Sequence, residues 1–106
     1  MKAYTNLEQS KKLAEILPIE SADMRYSPLG NNIHPWVWPD TFIEKGAIPC
    51  WSLAALLNAV PQIKIRGSKK IGYIVYYNKN ITLNRSFDII DACYEMIIKL
   101  NEQKLL

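Results

Sequence analysis

Between Gly46 and Lys64 the chain carries no charged residue, and Ile48 to Pro61 is its longest apolar run, with Pro49 near one end and Pro61 at the other. Such a segment has to be buried, so the flanking elements must supply its cover. Its residues point to a helix. Pro49 suits a first helical turn, where its missing N–H would have no partner anyway. Leu53, Leu56, Leu57 and Val60 fall on one stripe of a 3.6-residue period. Ala54, Ala55 and Ala59 favour the same state, and Pro61 ends it. Too short to be stable alone in water, the helix must be held by packing, and Trp51 is expected in the core.

At 106 residues, 49% hydrophobic and 22% charged, the chain has room for one globular domain spanning residues 1–106. Met1 to Asn6 lacks the apolar core of a secretory signal, and no run reaches the roughly 18 apolar residues of a membrane span. A cytoplasmic protein is therefore expected. Cys50 and Cys93 both sit in apolar patterns, which predicts buried free thiols in a reducing compartment.

Taken in order, Thr5 and Glu8 have capping-box spacing at the head of a first helix that Pro18 ends. From Ala22 to Tyr26, apolar and polar residues alternate, the mark of a short half-buried strand. Residues 27–47 hold Pro28, Pro35 and Pro39 but also Trp36, Trp38 and Phe42. So apolar a stretch is expected to be an ordered flap over the body, with Trp36 and Trp38 either in the core or forming a stacking surface. After the central run, Ile63 and Ile65 alternate with Lys64 and Arg66; a turn through Gly67 to Lys70 leads into the β-branched and aromatic stretch Ile71 to Tyr77. That is a hairpin over 63–77, and Ile81 to Leu83 can return as a third strand. A last helix, capped by Ser86 or Asp88, carries the stripe Ile89, Cys93, Met96, Ile97 and Leu100. The expected fold is α+β: a small antiparallel sheet of two or three strands, with a short N-terminal strand besides, covered on one face by three helices.

The net charge of +3 conceals an asymmetry. Pro61 to Arg85 holds Lys64, Arg66, Lys69, Lys70, Lys79 and Arg85 and no acid, while the rest of the chain has seven basic and ten acidic residues. Cations interleaved with Tyr73, Tyr76 and Tyr77 can follow a phosphate backbone and stack bases. Lysines on a sheet equally serve to keep its edges and faces in water. Six phosphate contacts would be the ceiling, a log–log salt slope of at most about −4 to −5.

Other chemistries find less support. His34, the sole histidine, and Cys50, near the expected helix start, are the only nucleophile–base candidates, and neither an orienting acid nor an oxyanion motif accompanies them. One histidine and two distant cysteines do not make zinc-ligand spacing, the four glycines do not form a phosphate-binding loop, and no cofactor is implied. Asp88 and Asp91 fit first-turn positions favoured by the helix dipole.

The segments Met1 to Pro18, Ser21 to Met24, Ile48 to Leu57 and Asp91 to Ile97 resemble a set of short proteins of anaerobic gut bacteria, often encoded in prophages or other mobile regions. The resemblance implies a bacterial, cytoplasmic, phage-related origin and carries no activity and no site residues with it. Two function classes stay open. One is a small non-enzymatic interaction module, binding a protein partner or itself through exposed aromatics and the Leu105–Leu106 tail. The other is a nucleic-acid-binding accessory protein using Lys64, Arg66, Lys69, Lys70, Tyr73, Tyr76 and Tyr77, with Trp36 and Trp38 as further candidates. A Cys50–His34 enzyme stands behind both.

Overall fold

The computed structural model describes residues 3–27, 47–83 and 85–106. The expected flap, with His34, Trp36 and Trp38, lies outside the described residues apart from Ser27 and Ala47 at its margins. The rest is α+β, as the sequence predicts. In chain order it comprises helix α1 (Leu7–Ala14), a 3₁₀ turn (Ile19–Ser21), strands β1 (Met24–Tyr26) and β2 (Ile48–Cys50), helix α2 (Leu53–Ala59), strands β3 (Lys64–Ser68) and β4 (Gly72–Tyr76), and helix α3 (Ile89–Glu102). The strands form two separate antiparallel pairs, β1–β2 and β3–β4, in place of a single sheet.

The apolar run departs from a continuous helix. Ile48, Pro49 and Cys50 are extended and pair with Tyr26, Arg25 and Met24. Pro49 therefore sits in a strand, and the helix begins only at Leu53. Ser52 is the reason. Its hydroxyl accepts from the Ala55 N–H at 3.2 Å, while the Asp23 carboxylate accepts from both the backbone N–H and the hydroxyl of Ser52. A cap held in this way fixes the first turn at its own position whatever precedes it. The capping box of α1 is likewise one residue later than Thr5–Glu8: Asn6 accepts from the Gln9 N–H at 2.8 Å, and the Gln9 side chain accepts from the Asn6 N–H at 3.1 Å.

Thr5 is free for another task. Fully buried, it donates its N–H to the Trp51 carbonyl at 2.9 Å, and its hydroxyl accepts from the Trp51 N–H at 3.1 Å. The same hydroxyl lies 2.7 Å from that of Ser10, and the Tyr26 hydroxyl donates to the Thr5 carbonyl at 2.8 Å. Trp51 is completely buried, and its indole N–H donates to the Ser21 hydroxyl at 2.9 Å. Around it the core gathers Leu13 and Leu17, Leu56 and Val60, Ile63, Val75 and Ile81, and the inner stripe of α3: Ile90, Cys93, Met96, Ile97 and Leu100. Asp88 caps α3 by accepting from the Ile90 and Asp91 N–H groups. Ile81 to Leu83 returns along β4 without forming a continuous strand. It is held by a bridge between Thr82 and Tyr76 and by backbone bonds from Tyr77 to Ile81 and from Leu83 to Val75.

Replacing Thr5 by Val keeps the shape of the side chain but leaves the buried Trp51 N–H without its acceptor. An unsatisfied buried donor costs about 1–3 kcal/mol. Urea unfolding of Thr5→Val should show a loss of that order, and Thr5→Ser, which keeps the hydroxyl, should lose less.

Candidate functional site

Along β3 and β4 the side chains alternate between two faces. Ile65 and Val75 stand opposite each other and point inward, with Val75 fully buried. Lys64 faces Tyr76 across the pair and Arg66 faces Ile74, and these four point outward. Thr82, paired with Tyr76, extends the same face from the returning segment. The Arg66 guanidinium lies 5.6 Å from the centre of the Tyr76 ring, a cation–π contact worth about 0.5–1 kcal/mol at an exposed position.

Arg66, Ile74, Tyr76, Asn78, Lys79 and Thr82 line an open depression of about 500 Å³. Its floor is apolar, formed by the half-buried Ile74 and Tyr76, and two cations frame it. The turn beyond Tyr77 is locked by Asn78, whose side chain accepts from the Asn80 and Ile81 N–H groups at 2.8 and 2.9 Å. That turn brings Lys79 and Thr82 back to the rim.

Of the sequence candidates, Lys64, Arg66 and Tyr76 come together on this face. Lys69 and Lys70 are exposed at the hairpin tip. Tyr73 and Tyr77 do not join them. Both share the parity of Val75; Tyr73 bridges to Ser86, and Tyr77 packs against the core. Ile74, Asn78 and Thr82 join the site without a chemical signal of their own in the sequence, while Lys79 belongs to the basic stretch. The period of two was the signal available for Ile74 and for sorting the tyrosines, whereas Lys79 and Thr82 depend on the turn geometry. The exposed large hydrophobics among the described residues are Ile19, Ile71, Phe87, and Leu105 and Leu106 in the tail.

The other candidate chemistry rests on Cys50, whose sulfur is entirely buried. It donates to the Thr5 carbonyl at 3.4 Å and lies 3.6 Å from the Thr5 hydroxyl. Burial pushes its pKa up against the opposing pull of the Thr5, Ser10 and Tyr26 hydrogen bonds, the reverse of what an activated thiolate requires. Burial likewise raises the Cys93 thiol to about 11. Among the described residues no group of three or more histidine, cysteine, aspartate or glutamate side chains could hold a metal ion, and no helix is long and apolar enough to cross a membrane.

Comparison with family models, with curated proteins and with solved structures gives no match.

The thiols make a pH prediction. A thiol that ionises near 9.0 when unfolded and near 11 when folded stabilises the fold fully below about pH 9, and that contribution is lost as the pH rises through 11. For Cys93 the loss should reach about 2–3 kcal/mol, and the raised Cys50 has the same sign. Urea midpoints measured at pH values from about 8 to 11 should fall, and Cys93→Ala should flatten the fall. A thiol reagent at neutral pH should label neither cysteine until the chain unfolds.

Proposed function

We propose that the chain is a small non-enzymatic interaction module whose working surface is the outer face of β3–β4, and that its partner is an acidic protein segment. The observation behind this reading is the pairing of an apolar floor, Ile74 and Tyr76, with the flanking cations Arg66 and Lys79, in a stretch from Pro61 to Arg85 that contains no acid. Apolar contact supplies affinity in such a depression, while the cations choose the sign of the partner and speed its approach. Arg66, already stacked on Tyr76, offers a planar fork that matches a carboxylate.

The same cations favour a second reading, nucleic acid. Against it, single-strand binders lay successive bases on several rings, and on this face only Tyr76 among the three hairpin tyrosines is available. Anisotropy titrations with a fluorescent acidic peptide, a single-stranded oligonucleotide and a duplex, each at about 50 and 200 mM salt, separate the two. The peptide should bind, and Arg66→Ala with Lys79→Ala should weaken it roughly tenfold. Nucleic acid held with a steep salt slope, beside a peptide that does not bind, would replace the first reading by the second.

A further inference from the structure

Among the described residues no strand other than β4 pairs with β3, and the isolated bridges all fall on other segments; just before β3, the Ile63 N–H is taken by the Val60 carbonyl at 3.2 Å, so the unpaired rim begins at Lys64. Which backbone groups line that rim follows from the other side of the hairpin. The returning segment bonds to β4 through Tyr73, Val75 and Tyr77. In an antiparallel ladder successive residues bond to opposite sides, so Ile74 and Tyr76 direct their N–H and C=O groups toward β3, where they meet Arg66 and Lys64. Ile65, between those two, must direct its own N–H and C=O away from β4, to the open rim.

From this arrangement we propose that the β3 rim takes up an acidic, extended segment of the partner as an additional antiparallel strand. The inference rests on the binding face assigned above and adds the mode and register of binding. The residue opposite Ile65 exchanges both backbone hydrogen bonds with it. The residues on either side then stand opposite Lys64 and Arg66 in non-hydrogen-bonded positions, where the two backbones approach to about 4.5 Å between Cα atoms. Side chains at those positions project to the outer face, beside the cations. Carboxylates are the groups that fit there, since opposite charges directly across a strand pair stabilise it and like charges do the reverse. The pattern recognised is acid–any–acid.

The same geometry decides against a second copy of this chain. Antiparallel pairing of two β3 strands about Ile65 sets Lys64 of each copy against Arg66 of the other, cation on cation at the closest approach on the ladder. The lysines and arginine on this rim therefore act as a filter: they block self-pairing and admit a strand of opposite sign, with main-chain bonds giving affinity and alternate side chains giving selectivity.

The test uses the full chain and three acetylated, amidated peptides. The parent is Thr-Val-Glu-Val-Glu-Val-Thr. One derivative is N-methylated at the central Val, which faces Ile65; the other is N-methylated at the first Glu, whose N–H points away from the protein. Strand addition predicts that the parent binds and that the Glu-methylated peptide binds within about threefold of it. The Val-methylated peptide should be weaker by tenfold or more, as should the parent with the Lys64→Glu/Arg66→Glu variant. Amide exchange at Ile65 should slow on binding. Equal binding of both methylated peptides, with exchange at Ile65 unchanged, would overturn strand addition while leaving the binding face in place. Failure of the parent peptide to bind at all would overturn both. A concentration-dependent dimer that protects the Ile65 amide would also overturn the proposal, with the rim belonging to a second copy.

Discussion

Burying Trp51 is the requirement from which the architecture follows. With no exposure left, each of its polar atoms must find a protein partner or cost as much as a lost hydrogen bond. The backbone N–H and C=O both turn to Thr5, and the indole N–H turns to Ser21. These contacts bring the residues before α1 and the 3₁₀ turn to one residue, while its chain neighbours Cys50 and Ser52 are tied to β1 and Asp23. Truncating a buried tryptophan costs about 3–5 kcal/mol, a large share of the 5–15 kcal/mol that holds a typical domain together. The apolar run is thus an organiser in a literal sense: the polar groups it cannot bury alone dictate where the residues before α1 and the stretch 21–26 must lie.

How much of this is written in the sequence depends on whether the deciding interaction is local. Four residues of the expected α3 stripe, Cys93, Met96, Ile97 and Leu100, are buried as their helical spacing predicts, but at its head Ile90 takes the core position and Ile89 stays half-buried; of the two candidate caps, Asp88 is the one used. The hairpin was legible from its alternation and its turn. The central segment departs from its helical pattern over three residues, Ile48 to Cys50. Ile48 to Cys50 became extended because Met24 to Tyr26 offers a backbone to pair with, a contact invisible to any window along the chain. Ser52 is nonetheless a good local cap, and its side chain marks the helix start where Pro49 does not. At the N-terminus two capping boxes overlap, Thr5–Glu8 and Asn6–Gln9. The distant demand of Trp51 for Thr5 selects the second. The candidate site was half legible: its cations stood out, while the sorting of Tyr76 from Tyr73 and Tyr77 needed the strand register.

The hairpin divides its labour by face. Inward, Ile65, Val75 and Tyr77 join the core. Outward, Lys64 and Arg66 border Ile74 and Tyr76. Several acids elsewhere in the chain are occupied with structure: Asp23 holds the Ser52 cap, Asp88 caps α3, and Asp91 accepts from Gln9. Carboxylates engaged at helix starts are not at hand to neutralise the cationic ribbon. Among the described residues the uneven charge of the sequence therefore persists as an uneven charge in space, with the positive surface on the hairpin.

The bond from Gln9 Nε2 to Asp91 Oδ1, at 2.7 Å, spans 82 residues, and that from Trp51 N to Thr5 Oγ1 spans 46. Vectorial synthesis cannot close either loop early. While the ribosome extends the chain, α1 must wait for β2 and Trp51, against which it packs, and its bond to the opening turn of α3 comes last. Closing these two loops puts long stretches of chain between contacting residues, and non-local contacts of that kind slow folding.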